Sequence, residues 1–287
     1  YSSFESQNLT GIWISASEWN DDLTPNTRVQ VQDTGSGLRI GSQEVAPDTH
    51  TVLLMHLNSD TTDYSGHGNN GTRYGGVDWI STGTWKTGGS TENILSFDGN
   101  NDYVNVPYGF VFGNQITMSA WVYPKSYQPN ADSPDWGNRV VMDSNNDGIA
   151  QGDDELHALS VSGTSNGVWS AVINWDIDVP AANRASVQGN IAQLNAWTFV
   201  CMTADGTALK IYENGRYVAQ TTYTDIGLYD PARLNIGKFA KPAYNGYFDG
   251  LIDEVRVLDR ALTAEEIAAD YYSGLFKYSK NGGSTWY

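Results

Sequence analysis

An all-β fold, a two-sheet antiparallel β-sandwich of the jelly-roll kind carrying one short helix near its C-terminal end, is what the sequence predicts. Short apolar runs recur every ~8 to 12 residues with turn residues between them, the spacing of a sandwich or jelly roll. Only 17% of the 287 residues are charged, while Gly, Asn, Thr, Ser and Tyr abound, which is the composition of a turn-rich sheet protein. Asn214 and Gly215 sit between two alternating runs and mark a tight hairpin, because a type I′ turn needs positive φ at both central residues.

In chain order, Gly11 to Ser15, Arg28 to Gln32 and a short run around Leu38, Arg39 and Ile40 read as strands. These 46 residues cannot build a core alone, so residues 1–46 form an accessory strand-rich segment. Pro47, Asp48, Thr49 and His50 break the pattern and open the main unit, residues 47–275. The apolar run 52–57 is followed by a polar loop over 58–70, then by strands at 94–97, 103–106, 116–122 and 169–173. The hairpin pairs 209–212 with 217–219. One helix is expected: Thr263 as N-cap and Glu266 three residues on form a capping box, Ile267 and Tyr271 share a face, and Gly274 supplies the stop. Residues 276–287 form a C-terminal strand tail.

The bulk chemistry excludes several roles. With 33 acidic against 16 basic residues the net charge is -17, which repels phosphate backbones and favours solubility and divalent cations; nucleic acid is not an expected partner. No apolar stretch reaches the roughly 20 residues that span a bilayer. The one cysteine, Cys201, lies in an apolar run and reads as a small buried hydrophobe. The chain opens on Tyr1 without a signal peptide, which reads as a processed or excised segment. The sequons at Asn8 and Asn70 permit glycosylation.

Six segments carry a family resemblance: LLMHL at 53–57, DYSGHGNNGT at 63–72, LSFDGNNDYV at 95–104, TMSAWV at 117–122, GLIDEVRV at 250–257 and RALTAEEI at 260–267. In this order and spacing they resemble the laminin-G-like jelly-roll domains of the concanavalin-A-like lectin and glucanase superfamily, over roughly residues 51–275. The resemblance implies two packed antiparallel sheets, a face able to hold glycans or protein loops, an extracellular or cell-surface setting and a structural calcium at the rim. It does not imply one function, since the fold hosts lectins, adhesion modules, hydrolases and scaffolds.

Two acidic groups are candidate calcium sites. Residues 143–154 put Asp143, Asn145 and Asp147 at loop positions 1, 3 and 5, a Gly at 6, the Ile149 carbonyl at 7, Gln151 at 9 and Asp154 at 12. A hard cation wants six to eight oxygens, and the Gly permits the bend that aims them. Position 12 is Asp where Glu would bind bidentately and no helices flank the loop, so a solvated acidic turn is the alternative. The resemblance implies a second site, with Asn58, Asp60 and Asp63 on one side and Asp253 on the other; the alternative is that Asp253 accepts backbone hydrogen bonds. Asp98 and Asp102 read as turn formers.

No Glu-x-Asp-x-x-Glu strand of the glucanase type, serine elbow, zinc spacing or phosphate loop is present. Asp253 and Glu254 are adjacent and so face opposite ways on a regular strand; His56 and His157 read as satisfied or partly buried. Trp121 and Trp197 belong to the core, whereas Trp79, Trp85, Trp136 and Trp175 lie in or beside polar loops, where a ring stacks on a sugar or folds over the sandwich edge. The reading is a non-catalytic, calcium-binding module that binds glycans or a cell-surface ligand. The alternatives are a subunit of an extracellular filament or surface layer, assembled head-to-tail as terminal strands pair between copies, and a polysaccharide-active enzyme.

Overall fold

The computed structural model describes residues 32–33, 38–39, 45–81, 93–107, 112–127, 139–145, 155–161, 167–174, 184–224, 233–239 and 246–273. Two antiparallel sheets stack face to face, as expected. The seven-stranded sheet runs, in spatial order, β12 (Ala185–Ile191), β11 (Val168–Ile173), β10 (Glu155–Val161), β9 (Arg139–Asn145), β16 (Arg233–Ile236), β7 (Tyr103–Val106) and β4 (Thr72–Tyr74). The eight-stranded sheet runs β15 (Arg216–Thr222), β14 (Ala208–Glu213), β13 (Thr198–Ala204), β8 (Ile116–Pro124), β17 (Asp249–Leu258), β6 (Asn93–Asp98) and β5 (Asp78–Ser81), with β3 (Thr51–Met55) also on β17. From the accessory segment, β1 (Gln32–Asp33) and β2 (Leu38–Arg39) pair as a separate two-stranded hairpin. The expected strands at 11–15, at 28–31 and in the tail lie outside the described residues, as does any pairing between them.

The two inner faces close on one core that contains Leu53, Met55, Leu95, Phe97, Met118, Val122, Trp169, Met202, Ile211 and Val257. Strand alternation explains it: in β7, Val104 and Val106 face the core while Tyr103 and Asn105 do not. The outer face of the eight-stranded sheet is covered by α1 (Ala264–Ser273), whose Ile267 and Tyr271 pack on Trp121, Phe199, Cys201 and Tyr212. The Tyr271 ring stacks on Trp121 at 5.4 Å. Both halves of the capping box form: Glu266 N–H donates to Thr263 Oγ1 at 3.2 Å and Thr263 N–H donates to Glu266 Oε2 at 2.8 Å. Gly274 lies outside the described residues.

An ionic clasp ties this helix to the start of the main unit. Arg256 donates to Asp270 at 2.8 Å, and Arg260 donates to both Glu266 and Asp48 at 2.9 Å. Residues 47–50, which break the strand pattern, are thereby anchored to the last strand. The hairpin between β14 and β15 turns on Asn214 and Gly215 with φ of 50° and 75°, as a type I′ turn requires.

Candidate ligand-binding face

The outer face of the seven-stranded sheet gathers side chains that recognise hydroxyls. Core-facing Leu234 and Ile236 force Asn235 outward, and the same alternation turns Asn105 outward on β7. Strand register then sets Thr72, Asn105, Asn235 and Asp143 in one row across four strands. Asn105 Nδ2 donates to Asn235 Oδ1 at 2.9 Å. Asp143 is fully buried beside them.

Two residues along, the row becomes aromatic. Tyr74 and Tyr103 stack at 4.8 Å with planes 8° apart, and Tyr247 lies 6.4 Å from Tyr103. Lys238 Nζ sits 4.2 Å from the Tyr103 ring centre and 5.6 Å from that of Tyr247. Burial pushes the Tyr103 hydroxyl up, and burial followed by the charge of Arg233 pushes the Lys238 ammonium down. Tyr74 remains 45% exposed. The half-buried Asn105 amide and Tyr103 hydroxyl beside the exposed Tyr74 ring offer what a pyranose or furanose needs, since its hydroxyl edge wants hydrogen bonds and its CH face wants an aromatic plane.

The loop expected to wrap a cation over residues 143–154 links β9 to β10 as a hairpin connection. Asp143 and Asn145 lie in β9 itself, paired with Asn235 and Arg233 on one side and with Ala158 and Glu155 on the other. The backbone at the first three loop positions is therefore extended and does not curl as an ion-wrapping loop does there. Asp147, Ile149, Gln151 and Asp154 lie outside the described residues. For the rim residues Asn58, Asp60, Asp63 and Asp253, among the described residues no three His, Cys, Asp or Glu side chains converge as a metal-holding group. Two of these carboxylates, Asp63 and Asp60, accept from protein donors. Asp63 Oδ1 accepts from the N–H groups of Leu54 and Ser65, and its Oδ2 accepts from Asn69 N–H and the Ser65 hydroxyl. Asp60 accepts from Thr62 N–H and the Tyr64 hydroxyl. Asp253 is fully buried on β17 opposite Trp121.

Beside Asp253 the regular alternation fails. β17 pairs with β6 through Ile252 and with β3 from Val255 onward, and Glu254, at φ 50°, is the extra residue at that fork. This bulge aims the Glu254 carboxylate at His56 Nδ1, 2.9 Å away. Leu57, next in chain, also takes a left-handed φ of 54°, and its carbonyl accepts from Trp79 Nε1 at 3.1 Å. The guanidinium of Arg73 lies 4.0 Å over the Trp79 ring, so this tryptophan closes the sandwich edge and one of its faces is occupied. His157 is buried and its Nδ1 accepts from Asn174 N–H at 3.4 Å. Asp98 and Asp102 are turn formers, accepting from the N–H groups of Asn100 and of Asp98. Asn70 is exposed, with its Oδ1 accepting from Asp63 N–H. Trp85, Trp136, Trp175 and Asn8 lie outside the described residues.

Tyr74, Tyr103, Tyr247, Lys238, Asn105 and Asn235 were not singled out from sequence. The alternation in Tyr103, Val104, Asn105 and Val106 does announce an outward Tyr and Asn, but nothing local tells which strands lie beside them.

Solved structures share this fold. Domain 4 of AbnA, a GH43 extracellular arabinanase from Geobacillus stearothermophilus solved with arabinotriose, is similar at 19% identity and TM-score 0.51, over 76% of this chain and 98% of that domain. The botulinum neurotoxin type C structure whose cell entry depends on two ganglioside molecules matches at 13% identity and TM-score 0.53, over 79% of this chain and 52% of that one. The binding domain of botulinum neurotoxin DC, in complex with rat synaptotagmin II, matches at 12% identity and TM-score 0.52, over 78% and 51%. This chain thus spans about half the length of those toxin domains. No curated protein matches the sequence. Residues 98–268, more than half of the chain, fit the laminin-G-type family model, and the chain belongs to the concanavalin A-like lectin/glucanase superfamily.

Proposed function

We propose that this chain is a non-catalytic glycan-binding module of an extracellular or cell-surface protein. The observation that carries the reading is the outer face of the seven-stranded sheet, where half-buried Asn105, bonded to the buried Asn235, lies beside the Tyr103 ring on which the exposed Tyr74 stacks. The similar arabinanase domain with its arabinotriose and the ganglioside-dependent toxin support it by analogy of fold. No helix among the described residues is long and apolar enough to cross a membrane. Calcium belongs to the same proposal, held by the acidic sequence over 143–154, whose spacing of oxygen-bearing residues suits a hard cation.

An oligosaccharide array that includes arabinan oligomers and ganglioside headgroups tests the binding. Retention on at least one glycan class is expected, weakened tenfold or more by Tyr74→Ala, with no reducing ends released. Retention on no glycan, or retention indifferent to Tyr74, would overturn the reading. For calcium, excess chelator should lower the melting temperature, since an ion bound only by the native state stabilises it by mass action; an unchanged melt removes the cation.

A further inference from the structure

The aromatic column on this face is built from the inside outward. In the seven-stranded sheet β7 lies between β16 and β4. Tyr103 on β7 therefore has Lys238, two residues past β16, on one side and its register partner Tyr74 of β4 on the other. Both faces of its ring are taken: the Lys238 ammonium lies 4.2 Å from the ring centre, and the Tyr74 ring stacks at 4.8 Å, 8° from parallel. Tyr103 has no face left for a ligand, whereas the exposed Tyr74 keeps its outer one.

On its own Tyr74 would be a poor platform. β4 is three residues long, wholly exposed, and the edge of its sheet, so a ring there would lose rotamer freedom on meeting a sugar, at a cost in affinity. Stacking on Tyr103 removes part of that freedom beforehand. Parallel rings repel through their electron-rich faces unless they are offset. A cation on the far face of Tyr103 draws π density toward itself and eases that repulsion. Lys238 is placed by its backbone: it bridges Tyr247, and beside that bridge Phe239 N–H donates to the Gly246 carbonyl at 3.0 Å and Phe248 N–H to the Gly237 carbonyl at 2.9 Å. The Tyr247 ring, 5.6 Å from the same ammonium, helps keep it on the column.

We propose that Lys238 is a positioning residue, acting through Tyr103 to hold the Tyr74 ring ready, and that Tyr74 is the ring on which the sugar stacks. The proposal rests on the glycan-binding reading above and assigns roles within its site. The ammonium lies behind Tyr103 as seen from the open face of Tyr74, so its effect extends to uncharged sugars, which offer it no counter-ion.

Two measurements on the full chain test it. In nuclear magnetic resonance of the free protein with labelled tyrosine rings, the Tyr74 ring protons should be moved upfield by the parallel Tyr103 ring. Lys238→Met should abolish most of that shift and Lys238→Arg should keep it. On an array of neutral arabinan oligomers, neutral galactan oligomers and desialylated ganglioside headgroups, Lys238→Met should weaken retention several-fold and Lys238→Arg should restore it, with the melting temperature unchanged in both. A Tyr74 shift indifferent to Lys238→Met overturns the positioning role and leaves the glycan reading standing. A shift that is lost while retention stays at the wild-type level overturns the choice of Tyr74 as the stacking ring. Retention of none of these glycans by the wild-type chain overturns the glycan reading and this assignment together.

Discussion

Replacing Asp63 with Ala removes a carboxylate that organises the loop after β3. Asp63 is 7% exposed and accepts from three backbone N–H groups, those of Leu54, Ser65 and Asn69, at 2.9 to 3.1 Å. In the Ala variant these donors stay inside the fold with no acceptor, and each buried orphan costs about 1 to 3 kcal/mol. Allowing for relaxation, the loss is about 4 kcal/mol, or a melting temperature lowered by about 8 to 16 °C for a unit of this size. Asp63→Asn should lose about half as much: one amide oxygen still serves Leu54 and Ser65, while the new NH₂ confronts the Asn69 N–H. Differential scanning calorimetry, run in calcium and in excess chelator, reads both variants. Because the partners are protein N–H groups, the deficit should be the same in the two conditions. A deficit that vanishes in chelator would show that Asp63 acts through a cation, and a variant that melts with the wild type would refute the hydrogen-bond account.

Gly215→Ala should cost about 2 kcal/mol in denaturant unfolding, since φ is 75° and the new methyl would lie 3.0 Å from Tyr271 Cβ; full retention of stability would remove the strain argument. The clasp on α1 makes stability acid-sensitive. Burial pushes the Asp48 carboxyl up, but donation from Arg260, Thr51 and His50 N–H outweighs it and holds the group down at about 2, from an ordinary 3.8. A depressed carboxyl stabilises the fold above its unfolded pKa, so this contribution should be intact above pH ~4 and lost as pH falls toward ~2. Asp270, raised by burial, opposes part of that loss. Denaturant midpoints across this range, compared with Asp48→Asn, check it: the variant should show a shallower fall, and an identical profile would refute the assignment. Cys201 is fully buried and its thiol is pushed well up by that burial, so a thiol reagent should label it only at the rate of unfolding.

Some features were legible because their causes are local. The capping box at Thr263 and Glu266 lies within one helical turn, the Asn214–Gly215 turn is set by two residues' φ preferences, and Cys201 and Trp121 announce burial by the apolar runs around them. The Asp98 and Asp102 turn is likewise closed by donors a few residues away. The surroundings of Asp63 are less local: the sequence shows it as a loop carboxylate but not that N–H groups up to nine residues away donate to its oxygens.

The sequence by itself determined the sandwich, its hairpin, its helix and the alternation of faces along regular strands such as β7, because period-2 alternation and turn chemistry act between near neighbours. Only the tertiary structure decided that Asn105 meets Asn235, that Tyr103 stacks on Tyr74 beneath Lys238, and that Glu254 turns out of line toward His56. Those contacts depend on strand order and register between segments as far as 198 residues apart, and on a bulge placed where β17 changes partners. Pairing of that kind is selected by the whole core at once, so no single stretch of chain encodes the face on which a ligand would rest.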